Sequence, residues 1–138
     1  MRSLPRTLTL ALLALAALSG ALWLTRLLRP GYERADLRGA QLAGKALARQ
    51  RFHQADLSGA DLSGADLSGA DLGEALLVHA DLRGAKLNGA ILDDADLSGA
   101  SLEGACLAGA SLRGAEMPDV DLRCADLHLA HLTGADLR

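Results

Sequence analysis

The amino-acid sequence predicts a solenoid, a chain that turns the same way at short regular intervals around a repetitive interior. Three observations lead there. From Ala35 onward one five-residue phrase recurs: Ala, a polar residue that is usually Asp, Leu, a variable residue, and Gly. It is undiluted in Ala55-Asp56-Leu57-Ser58-Gly59 and the two repeats that follow. The Leu position then keeps its frame through twenty-one consecutive windows, Leu37 to Leu137, with Phe52 and Met117 as the two exchanges. Finally, half of the 138 residues are apolar, yet nearly all of these are Leu and Ala, and aromatics make up 2%. A globular core needs larger and more varied shapes to reach native packing density. Stacked repeats can use one small set again and again.

The chain opens on an apolar segment. Thr7 to Thr25 is nineteen residues without a charge, with Arg2 and Arg6 before it and Arg26 and Arg29 behind. As a helix it would span roughly 28 Å, close to the hydrocarbon thickness of a bilayer. Trp23 and the arginines stand where interfacial anchors belong. Residues 1–28 are therefore assigned to a retained signal-anchor, crossing the membrane through residues 7–25, or to a signal peptide cut after the small residues Ser19 and Ala21. A third reading, an apolar helix capping the soluble domain, would call for an amphipathic stripe, and this segment is apolar all round. Arginines balance on its two sides, so the positive-inside rule leaves the orientation open. The expected location is membrane-anchored or exported, in a periplasm or at the cell exterior. Residues 29–34 read as a linker, because Pro30 and Gly31 oppose continuation of a helix.

The repeat region, residues 35–138, fits neither common periodicity. Five residues of α-helix advance the marker by about 140° and smear Leu around the axis. A flat strand would place successive markers on opposite faces. A chain that bends once per repeat buries every Leu. The Ala-Asp-Leu-x-Gly phrase resembles the pentapeptide repeat family, whose motif is A-(D/N)-L-x-x. The resemblance implies an all-β fold, a right-handed quadrilateral parallel β-helix in which four repeats make a coil of twenty residues, here about five coils. It also implies that Leu, and the Ala two residues before it, point inward. Gly at the last position then suits a corner that favours positive φ. At about 4.8 Å between coils, the rod would be roughly 25 Å long.

Departures from the phrase mark the ends. Lys45, Gln50 and Val120 replace the inner Ala. The first two fall in the first coil, where leaning outward would make the polar cap that solenoid ends require; the alternative is an irregular loop over residues 45–54. At the other end Ala130, Leu132, Ala135 and Leu137 leave an apolar coil edge. Such an edge is open to pairing, and a homodimer or a partner is expected there.

Charge divides the chain. Residues 1–34 hold five arginines against one glutamate, whereas the repeats hold sixteen acids against nine bases. An acidic body argues against direct nucleic-acid binding, which calls for clustered Lys and Arg. With twenty residues per coil, Asp36, Asp56, Leu76, Asp96, Glu116 and Asp136 form one outward column, and Gln41, Asp61, Asp81, Ser101 and Asp121 the next. Leu76, Val78 and Ile91 place apolar groups where water is expected, and with Leu132 and Leu137 they are the candidate interaction residues. Cys124, His128 and His131 lack a compelled fourth ligand, and no metal or cofactor is expected. Cys106 stacks beneath Asp126, which opposes a disulfide with Cys124. No nucleophile-and-base grouping and no phosphate-cradling loop is present, so no enzyme is expected. The leading reading is a non-catalytic scaffold that binds an unknown protein partner through its faces or tips. The alternative is a cytoplasmic DNA-mimicking modulator of a type II topoisomerase, as in the family's quinolone-resistance branch.

Overall fold

In the computed structural model, which describes residues 31–138, each repeat contributes one residue to a parallel bridge with the residue twenty positions on. The series Asp36–Asp56–Leu76–Asp96–Glu116–Asp136 is one such column, and three more start at Gln41, Ala46 and Arg51. Four repeats therefore close one coil, and the quadrilateral β-helix expected from the motif is observed. The apolar segment and residues 29 and 30 lie outside the described residues. Among the described residues no helix is long and apolar enough to cross a membrane.

Backbone bonding explains the period. In the repeat around Leu57, the Leu57 N–H donates to the Leu76 carbonyl one coil on (2.7 Å), and the Gly59 N–H to Val78 (2.9 Å). The Asp56 N–H donates to Ala35 one coil back (2.9 Å), and the Ala60 N–H closes the corner on Leu57 (2.9 Å). That uses four of the five donors. The fifth, on the residue after Leu, is left over by the ladder, and the Asp two residues earlier accepts it: Ser58 N–H to Asp56 Oδ1 at 3.1 Å, Ser63 to Asp61 at 3.0 Å, Arg83 to Asp81 at 3.1 Å. This is the Asx turn. Two departures obey the same accounting. Pro118 has no N–H to satisfy, and Glu116 stands at its Asp position. Where Ser111 replaces Asp, Asp93 on the adjacent coil accepts the Arg113 N–H at 3.1 Å.

Every corner from Arg34 to Gly134 is left-handed, at twelve glycines and nine other residues. One left-handed residue within an i to i+3 bonded turn is the type II pattern. Side chains at this φ cost roughly 1–2 kcal/mol each. Their neighbours accommodate them: a Cβ on Gly99 would come within 2.6 Å of the His79 ring, and one on Gly114 within 3.3 Å of the Asp94 carboxyl carbon. The side chains of His79 and Asp94 thus each lie over a glycine one coil later.

Inside, the Leu and Ala positions from Ala55 to Met117 are almost wholly buried, at 0–1% exposure. Bridges Ala46–Asp66 and Arg51–Asp71 carry the regular coil through residues 45–54, which excludes the irregular loop. Lys45 is exposed and Gln50 half-buried. One boundary moves. Tyr32 to Arg34, assigned to the linker from sequence, already form the first corner: the Ala35 N–H donates to Tyr32 and the Arg34 N–H to His53, both at 3.0 Å. Tyr32 occupies a Leu position and stacks on Phe52, with ring centroids 4.8 Å apart and planes 9° apart. Burial pushes its hydroxyl pKa up.

Candidate interaction surfaces

The columns place the predicted surface residues directly. Asp36, Asp56, Asp96, Glu116 and Asp136 share column one with Leu76 at its centre. Column two holds Gln41, Asp61, Asp81, Ser101 and Asp121; column three Ala46, Asp66, Lys86, Cys106 and Asp126; column four Arg51, Asp71, Ile91, Ser111 and His131. Leu76 and Val78 lie on one face, whereas Ile91 lies on the adjoining one. Leu76 is 43% exposed and Ile91 45%, while Val78 is half-buried. In the last coil Leu132 is half-buried and Leu137 is 55% exposed. Sequence reasoning missed Leu129, the most exposed large apolar residue described, at 72%. Its place at a corner, where glycine is usual, was the available signal.

The acidic columns are not uniformly bare. In the sequence Asp-Leu-Arg the guanidinium folds back on the carboxylate two residues earlier with two hydrogen bonds. Arg38 reaches Asp36 at 2.9 and 2.8 Å, Arg123 reaches Asp121 at 2.9 and 2.8 Å, and Arg138 reaches Asp136 at 2.9 and 2.9 Å. Arg83 holds Asp81 in the same way. The arginine bond first, and the backbone N–H second, hold Asp121 and Asp136 down to about 2. Asp81 is lowered chiefly by Arg83, and Asp66 by hydrogen bonding from Ser68. Exposed pairs of this kind add little stability, but they remove negative charge from both ends of column one and from the middle and last position of column two. Asp96 and Glu116 pair with no cation among the described residues.

One corner is built differently from the rest. Arg34, Gln54 and Glu74 stack above one another, all left-handed, and are linked by Arg34 Nε to Gln54 Oε1 and Gln54 Nε2 to Glu74 Oε2, each 2.7 Å. His53 stands 3.6 Å from Glu74 and 3.8 Å from Asp71, and Arg51 pairs with Glu33. The twenty-residue spacing of three non-glycine corners could have revealed this ladder. Cys106 bridges to Asp126, and both cysteines are free. Among the described residues, no group of three or more His, Cys, Asp or Glu is arranged to hold a metal ion.

Comparison with known proteins agrees with this geometry. The sequence model of the family described as Pentapeptide repeats matches eight copies, over residues 33–69, 65–104, 75–114 and 100–138. Among solved structures, the chain is 40% identical to the pentapeptide repeat protein Rfr23 of the cyanobacterium Cyanothece 51142, with a TM-score of 0.61. That match covers 62% of this chain and 58% of the Cyanothece chain, so this protein spans under two thirds of that relative. It is 33% identical to a pentapeptide repeat protein of the Arabidopsis thaliana thylakoid lumen, over 78% of this chain and 74% of that one, with a TM-score of 0.73. QnrB1, a plasmid-mediated fluoroquinolone resistance protein, shares the fold at 20% identity, over 75% of this chain and 63% of that chain, with a TM-score of 0.60. No curated protein matches the chain.

Proposed function

The chain belongs to the pentapeptide repeat family, and on that premise we propose that it is a non-catalytic scaffold, membrane-anchored or exported, that binds another macromolecule through its coil faces or tips. The observation that carries this reading is where the chain departs from its own motif. The interior is filled by Leu and Ala, and most aspartates hold backbone N–H groups or neighbouring arginines. What remains without a structural task is a small set of exposed apolar side chains, Leu76, Ile91, Leu129 and Leu137. The apolar run Thr7–Thr25 supports an anchor or export signal, and the Arabidopsis relative comes from the thylakoid lumen. A photo-crosslinking amino acid at position 76 or 137 should form a discrete adduct in the native host, while one at the glycine corner Gly64 should not. Adducts at none of these positions would refute the scaffold.

The last coil suits a second copy of the chain, because Leu132 and Leu137 remain partly exposed there. Strictly monomeric sedimentation of the 138-residue chain in detergent would exclude that dimer. A second reading, the cytoplasmic topoisomerase modulator, draws on the carboxylates of columns one and two. Its weakness is the four Asp-Leu-Arg pairs that break the negative surface. A reporter fused after Arg138 separates the readings: activity confined to the outside of the cytoplasm excludes the topoisomerase role. Cytoplasmic activity would make gyrase supercoiling the deciding assay.

A further inference from the structure

Column one combines a run of carboxylates with an apolar interruption at its centre. Asp36 and Asp56 lie on one side of Leu76, and Asp96, Glu116 and Asp136 on the other. The end carboxylates are held by Arg38 and Arg138, and Asp56 stands 3.6 Å from Arg38. Asp96 and Glu116 are left without a cation among the described residues. Beside Leu76, Val78 takes a place that serine fills on the adjacent coils, as Ser58 and Ser98.

Leucine at position 76 gives up the turn bond that aspartate supplies on the adjacent coils. Its backbone makes the usual ladder bonds, donating to Ala55 at 2.9 Å and accepting from Leu57 at 2.7 Å, and any residue there would make them. An aspartate would also have accepted the Val78 N–H, as Asp56 and Asp96 do for Ser58 and Ser98. The Val78 N–H finds no acceptor among the described residues. Leu76 thus leaves the turn bond unmade, as Lys86 and Cys106 do in their repeats, and it also exposes apolar surface beside uncompensated carboxylates.

We infer that column one docks a basic segment of another protein, a short extended stretch of Lys and Arg carrying one large apolar residue. The inference rests on the scaffold reading and names its face and the chemistry of its partner. The apolar residue covers Leu76 and Val78, and flanking cations meet Asp96 and Glu116, about one and two coil spacings of ~4.8 Å away. Anionic partners, such as nucleic acid or acidic lipid, are repelled by the same carboxylates. A contact this small associates quickly, depends on salt, and draws its specificity from charge arrangement.

The test is fluorescence anisotropy on the full chain in a nonionic detergent. The probe is a fluorescein-labelled nonapeptide of Lys and Arg with a central Leu. Binding should weaken by about fivefold or more in Leu76→Ser and in the Asp96→Asn/Glu116→Gln pair, and by less than about twofold in the column-three variant Asp66→Asn. Asn retains the oxygen that accepts the turn N–H, and unchanged thermal melts will confirm that the variants fold. A probe with central Gly should bind weakly and be indifferent to Leu76→Ser. Absence of binding at low salt overturns the inference, and so does an equal loss in Asp66→Asn. If binding survives the column-one changes but falls on altering another column, the scaffold stands and this face is wrong. If the peptide fails to bind and no crosslinked adduct forms in the host, both readings fail together.

Discussion

At Gly64 a Cβ would meet no atom within 4 Å, so Gly64→Ala confronts only the left-handed φ of +62°. The expected cost is about 1 kcal/mol. Gly99 has nearly the same φ, +64°, but a Cβ there would press on the His79 imidazole. Gly99→Ala should therefore destabilise more than Gly64→Ala in urea or thermal melts, and the difference should vanish in a His79→Ala background. Persistence of the excess without His79 would contradict the corner-over-glycine packing. Aspartate makes a second residue-scale case. Asp121 and Asp136 sit near 2 in the folded chain, against an ordinary 3.8. Between those values the unfolded chain binds more protons than the folded one. Their contribution is thus present above about pH 4 and is lost as pH falls toward about 2. Arg123→Ala and Arg138→Ala should flatten the acid limb of a stability-against-pH curve. Because both pairs are exposed, added salt should shrink the effect.

The repeat itself is the element, and its inward assignment is open to direct attack. Leu97 lies in the middle of the stack at 0% exposure. Leu97→Asp should cost more than the roughly 2–5 kcal/mol of a Leu→Ala truncation, since it also buries an unpaired carboxylate, and the domain should unfold by circular dichroism. Asp96→Asn, one residue away, should be tolerated, because its amide oxygen can still accept the Ser98 N–H. Leucine periodicity makes this much of the element legible in the sequence, since a frame of five without insertion admits no helix or flat strand that buries it. The purpose of Asp was not legible. Spacing cannot say which backbone N–H lacks a partner, and only the ladder bonds reveal that the residue after Leu is the one. Tyr32 was hidden for another reason. Pro30 stands where Ala was sought and an aromatic ring where Leu was sought, so the first corner read as linker. The Arg34–Gln54–Glu74 ladder is hidden along the chain, where glycine dominates the corners, and emerges only across coils at the twenty-residue spacing.

For the whole molecule, the twenty-residue coil makes a prediction that no globular core would share. Deleting residues 75–94 joins Glu74 to Ala95 and removes one full coil, so Asp56 would come to bridge Asp96 and every column would close again. In a solenoid each coil contacts only its neighbours, and stability is close to a sum of coil and interface contributions. The shortened chain should keep its β-type circular dichroism and a cooperative melt, at a lower temperature. Deleting residues 75–78 is the smaller cut but the worse one. It shifts the frame by four, places polar residues such as Asp81, Lys86, Asp96 and Glu116 at the inner Leu positions of most later repeats, and should abolish cooperative unfolding of the C-terminal half. If both deletions are tolerated alike, the four-repeat coil is wrong. The coil deletion also carries away Leu76, Val78 and Ile91 while bringing Asp56, Asp96 and Glu116 into an unbroken acidic column. Binding of the basic peptide through charge alone would survive or rise in that chain. A requirement for the apolar centre would show as a loss of affinity at high salt, where screening leaves the Leu76 contact as the main attraction.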